Sequence, residues 1–171
     1  ARIDMGALRH NLARARQAAS GARVMAAIKA DAYGHGMVRV AEALHAADGF
    51  ALACVDEGVA LRDAGFAHPI LLLQGACNAG ELRTAAEKGI GICVHQPHHL
   101  RLLETTRLRK PVKVWLKIDT GMHRLGIPPE DTAEIFRVLA DSPNVAGKPC
   151  VMTHFARADE EGDTSTADQI A

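Results

Sequence analysis

In Val112-Lys113-Val114-Trp115-Leu116-Lys117-Ile118-Asp119 every even-numbered position is a branched aliphatic, and the odd ones are Lys, Trp, Lys and Asp. A period of two is that of a β-strand, so the segment reads as a strand with one oily face and one charged face. A buried strand does not carry charge idly. If helices cover the aliphatic face, the charged face points into the interior of a closed barrel. Lys117 and Asp119 then lie at its C-terminal mouth, where barrel enzymes place their chemistry. This pattern favours a barrel over an open, doubly wound sheet.

The rest of the chain supplies the partners. Asp4 caps a first helix with Leu8, Leu12, Ala15 and Ala19 at helical spacing and Gly21 just beyond. Val24–Lys29 is a short apolar strand opening into Tyr33-Gly34-His35-Gly36, and a helix with Met37, Val40, Ala41 and Leu44 inward follows. The unit then recurs: strand Phe50–Val55 and a helix from an Asp56 cap to Gly65; strand Ile70–Gln74 and a helix from an Asn78 cap, with Glu81 three residues on, to Gly89. Ile90–His95 is a fourth strand, and Pro97 starts a helix through Leu103. The quoted segment is the fifth strand, Pro128-Pro129-Glu130 opens another helix, and Cys150–Phe155 is the sixth strand. The class is α/β, a (β/α)8 TIM-type barrel. A whole barrel needs eight units and about 250 residues, so residues 1–171 are expected to form a partial barrel domain of about six units.

Composition narrows the function. The 171 residues carry 20 Lys+Arg against 20 Asp+Glu, a formal net charge of zero, which denies the chain the electrostatic footprint of a nucleic-acid binder. No run of about 18 uncharged apolar residues and no signal-like start is present, so a cytoplasmic protein without a membrane partner is expected. Cys54, Cys77, Cys93 and Cys150 form no C-x-x-C pair and read as reduced, buried thiols; no metal site is expected. His95, His98 and His99 flank a helix-opening proline and read as a solvated helix start. Asp159-Glu160-Glu161-Gly162-Asp163 reads as an exposed loop, because it lacks the pattern of a calcium loop.

Three strand ends carry chemistry. Lys29 closes an apolar strand, where desolvation favours the neutral amine that Schiff-base chemistry requires, and Tyr33, the one tyrosine, lies four residues on. An isolated lysine there is more often a snorkelling surface residue; its surroundings reverse that reading. Lys117-Ile118-Asp119-Thr120-Gly121-Met122-His123-Arg124-Leu125-Gly126 brings Lys117, Asp119 and Arg124 to one mouth, and Met152 to Asp159 delivers His154 to the same rim.

These three segments resemble alanine racemase. Lys29-Ala30-Asp31-Ala32-Tyr33-Gly34-His35-Gly36 is similar to that family's cofactor-lysine signature, Lys117–Gly126 to its second motif, and Thr153-His154-Phe155-Ala156 with Asp159 to its third. The resemblance implies pyridoxal 5'-phosphate as cofactor and interconversion of L- and D-alanine, for D-alanine supply or alanine catabolism. It implies Lys29 as Schiff-base residue and D-face base, Tyr33 on the phosphate and His154 near the pyridine ring. Arg124 would contact the cofactor's phenolic oxygen and, with Met122 nearby, the substrate carboxylate, and Lys117 would be a carbamylated support. His35 is assigned to loop structure. The resemblance further implies a homodimer, a β-rich C-terminal domain absent here, and an L-face tyrosine base on the partner's C-terminal domain. The 171 residues would then be inactive alone. The alternatives are a single-barrel pyridoxal-phosphate carrier or regulatory protein, a barrel amino-acid decarboxylase, or a serine racemase.

Overall fold

The computed structural model describes residues 2–171. In chain order the elements are α1 (Met5–Ala18), β1 (Met25–Ala27), α2 (Lys29–Gly34), α3 (Met37–Ala43), β2 (Gly49–Leu52), α4 (Val55–Asp63), β3 (Ile70–Leu72), α5 (Ala79–Glu87) and β4 (Gly91–Val94). They continue with α6 (Pro97–Thr105), β5 (Val114–Lys117), α7 (Pro129–Asp141), β6 (Cys150–Met152) and α8 (Ser165–Ile170). All neighbouring strands are parallel, and the sheet order is β1-β2-β3-β4-β5-β6. A doubly wound sheet reverses its order at a switch point; this one never does, as a barrel requires.

The register assigns the two faces. Phe50 pairs with Ile70, Ile92 with Val114, and Val94 with Leu116, and these side chains are buried in the core together with helix residues such as Leu61, Leu82 and Leu103. Each such burial contributes about 1.5–3 kcal/mol. Cys93 pairs with Trp115, Trp115 with Cys150, and Lys117 with Met152 on the opposite face. There the Cys93 Sγ lies 3.9 Å from the Met152 Sδ, although β5 runs between their strands. The charged face is therefore concave, and the alternation in β5 has the meaning expected of it. Toward the strand N-termini the concavity is a groove of about 490 Å³ lined by Met25, Leu71, Gly91, Trp115 and Cys150. β1 and β6 do not pair, so the six strands form a half-barrel.

Local signals explain most boundaries. The Asp4 Oδ1 accepts from the backbone of Gly6 (2.8 Å) and Ala7 (3.1 Å), starting α1. The Asn78 Oδ1 accepts from Glu81 N (3.0 Å) while the Glu81 carboxylate returns to Cys77 N (2.9 Å), a reciprocal cap on α5. Pro97 and Pro129 occupy the first turns of α6 and α7. Three expectations are corrected. Helix α4 begins at Val55 after Cys54, with Asp56 in its first turn rather than capping it. Only Cys93 among the four free thiols is buried, whereas Cys54 and Cys77 are exposed. His95 and His99 are buried, not solvated, because the His95 ring reaches the Gln74 carbonyl (3.1 Å) in the turn after β3 and His99 Nδ1 accepts from His95 N (3.4 Å). No helix among the described residues is long and apolar enough to cross a membrane.

Candidate active site

Lys29 stands just past β1, and the chain then does something the sequence did not announce. Ala30, Asp31, Ala32 and Tyr33 all have φ between 52° and 56° and ψ between 36° and 54°, one turn of left-handed helix built without glycine. This geometry costs about 1–2 kcal/mol per residue, so the surroundings must hold it. Within the turn, Ala32 N donates to the Ile28 carbonyl (2.9 Å), Gly36 N to the Asp31 carbonyl (3.0 Å), and His35 Nδ1 lies 2.8 Å from the Ala32 carbonyl. The loop role expected of His35 is thus a clasp on the turn. Gly34 and Gly36 follow with φ of 81° and 90°, the freedom expected of them. Tyr33 projects from the turn, 61% exposed.

The second segment is a closed loop. Ile127 N donates to the Lys117 carbonyl (2.8 Å) and Asp119 N to the Ile127 carbonyl (2.9 Å), pinning both ends. Asp119 is spent inside it: its carboxylate accepts from Gly121 N (3.1 Å) and His123 N (2.9 Å) and meets His123 Nδ1 at 3.2 Å. Chiefly the His123 backbone N–H holds the Asp119 carboxyl below its ordinary value. Asp119 therefore shapes the loop and pairs with neither Lys117 nor Arg124. Arg124 is exposed and lines, with His95, Gln96 and Leu125, a cavity of about 200 Å³. Met122 is half-buried in the same loop.

The third segment is tied to the second by Gln169 of α8. Its Nε2 donates to Thr120 Oγ1 (2.9 Å) and to the His154 carbonyl (3.1 Å), and its Oε1 accepts from Ala156 N (2.9 Å). Thr120 and Thr153 touch through their hydroxyls (2.6 Å). Gln169 is the residue that sequence reading missed here, for its partners lie 13 to 49 positions away.

Electrostatics join all three segments. Burial lowers the His154 pKa, and the charges of Lys117, Arg124 and Lys29 lower it further, so one imidazole feels cations from three strand ends. Lys117 is only 7% exposed. None of the ion pairs among the described residues engages Lys29, Lys117 or Arg124. A buried cation such as Lys117 is costly unless something negative joins it. The three cations give the rim a positive character. No group of three or more metal-ligating side chains exists among the described residues.

Known proteins share this sequence and shape. The family described as "Alanine racemase, N-terminal domain" matches residues 3–171. An alanine racemase of Thioalkalivibrio sulfidiphilus is 51% identical over 172 residues, covering 99% of this chain and 48% of that protein. A catabolic alanine racemase of Pseudomonas putida is 50% identical over 170 residues, covering 99% of this chain and 47% of that protein. The crystal structure of biosynthetic alanine racemase from Pseudomonas aeruginosa superposes with a TM-score of 0.92 at 37% identity, covering 98% of this chain and 47% of that one. The chain spans about half the length of the curated relatives it matches.

Proposed function

The chain belongs to the alanine racemase N-terminal domain family, and from that premise we propose that the full-length protein interconverts L- and D-alanine with pyridoxal 5'-phosphate, as a cytoplasmic homodimer. The observation that carries this reading is the set of cations whose charges lower the His154 pKa: Lys117, Arg124 and Lys29, none of which has a carboxylate partner among the described residues. A phosphate, a phenolic oxygen and a substrate carboxylate are the anions such a rim would take, so the residues fit the group.

When bound, the cofactor supplies an electron sink that acidifies the substrate's α-carbon. The chain's own residues do the rest. Lys29 Nζ would hold the cofactor through its aldehyde and, as a free amine, would take or return the α-proton on the D face. The exposed Tyr33 hydroxyl would donate to the phosphate. His154, whose protonated form burial and the neighbouring cations disfavour, would lie by the ring. Arg124, with a planar fork suited to anionic oxygens, would hold the cofactor's phenolic oxygen and the substrate carboxylate, and Met122 would bound the substrate beside it. Lys117 Nζ, buried and in no ion pair among the described residues, would lose its ammonium proton, add carbon dioxide as the free amine and release a second proton, and the resulting carbamate anion would orient Arg124.

The experiment is α-proton exchange of alanine in deuterium oxide by the full-length protein. Lys29→Ala lowers exchange from D-alanine by about a thousandfold or more, the scale of a lost positioned base and covalent anchor. Exchange undiminished in that variant overturns the assignment.

A further inference from the structure

We propose that Glu57 is a positioning residue for Lys29: it holds the left-handed turn that follows the lysine in a conformation the turn would not keep unaided. The proposal rests on the cofactor-lysine reading of Lys29 but has its own physical ground. Glu57 lies in the first turn of α4, half-buried, and forms no ion pair among the described residues. Both its oxygens go to backbone. Oε2 accepts from Ala53 N (2.8 Å), just past the end of β2, and Oε1 accepts from Asp31 N (3.3 Å) in the middle of the reversed turn. One carboxylate thus ties the C-terminal end of β2 to the backbone two residues beyond Lys29.

The chain of hydrogen bonds continues. The Asp31 Oδ1 accepts from Met37 N (2.7 Å), the first residue of α3, whose preceding residue is a glycine with no side-chain cap to offer. From α4 through the turn to α3, two carboxylates and three backbone N–H groups fix four residues in a region that L-residues avoid. Charge-assisted bonds to backbone donors are the strong kind, and they are what a turn costing about 1–2 kcal/mol per residue requires. Their effect on function runs through the backbone: the turn sets where the Lys29 Cα points, and it carries Tyr33 outward from the same rim. Glu57 itself touches no reacting atom.

The test uses the full-length protein with Glu57→Ala, Glu57→Gln, and Glu57→Ala combined with Ala30→Gly. Two readouts separate this inference from the cofactor reading. In the cofactor-free protein, amide hydrogen exchange of the segment 29–36 rises about tenfold or more in Glu57→Ala, the effect of losing a charged hydrogen bond, while the β4 segment is unchanged. With pyridoxal phosphate and borohydride trapping, the rate of Lys29 labelling relative to exposed Lys148 falls by a similar factor. Glu57→Gln, which keeps one acceptor oxygen, falls between. Glycine adopts positive φ freely, so Ala30→Gly recovers part of the loss in both readouts. Unchanged exchange in Glu57→Ala, or further loss on adding Ala30→Gly, overturns the proposal. A wild-type protein that never labels Lys29 overturns the cofactor reading, and the exchange data still decide the role of Glu57.

Discussion

At His99 burial and charge push the same way. The ring is 2% exposed, and desolvation first, then the neighbouring His95 and His98, push its pKa down to about 4. The folded protein binds this proton less readily than the unfolded chain does. Stability from the neutral ring is fully present above the ordinary histidine value of about 6.5 and is lost as pH falls from there toward 4. Denaturant titrations of the full-length protein should lose on the order of 2 kcal/mol more between pH 7 and pH 4.5 than the His99→Gln variant does. Equal slopes for the two would show that His99 is not buried as a neutral base. The sequence showed three histidines around a proline and nothing of this burial, because the enclosing groups come from β3 and from Gly75, where an added Cβ would lie 2.7 Å from the His99 ring. The inward place of Lys117 was legible because strand alternation alone brings it inside. The private use of Asp119 was not, since carboxylates of loop and site look alike in a sequence.

Among the elements, the strands and right-handed helices could be read from period, caps and prolines, and the reversed turn of α2 could not. Ala-Asp-Ala-Tyr has no preference for positive φ, and the groups that impose it arrive from α4 and α3. Such a turn is set by tertiary contacts, and propensity is silent about it. The loop from Asp119 to Gly126 is the opposite case, a turn whose end was announced by a glycine. Gly126 has φ of 149°, and a Cβ there would meet the Asp119 Cβ at 2.7 Å and its backbone nitrogen closer still. Gly126→Ala should therefore cost about 3 kcal/mol or more in denaturant unfolding, through strain and the parting of Ile127 from Asp119. A change within about 0.5 kcal/mol would mean that the loop does not close on the strand in this way. Helix α8, short and weakly buried, acts through Gln169 as a strap across two strand-end loops rather than as a core element.

For the whole molecule, the sequential sheet order is what brings three distant segments to one rim. Each parallel strand delivers its C-terminal end to the same rim, so Lys29, Lys117 with Arg124, and His154 meet although up to 125 positions separate them in the sequence. The same order leaves the concave groove by Trp115 and Cys150 at the other end, lined by side chains of the barrel interior. The barrel class was legible because β5 wears its two faces openly. The number of strands was legible because each is bounded by glycine, proline or a cap. The measurement that bears most directly on the central claim is to load the full-length protein with pyridoxal 5'-phosphate, reduce it with borohydride, digest it and map the pyridoxyl group by mass spectrometry. A single dominant adduct on Lys29 is expected. A folded protein labelled only on surface lysines such as Lys88 and Lys148, or not at all, would contradict it.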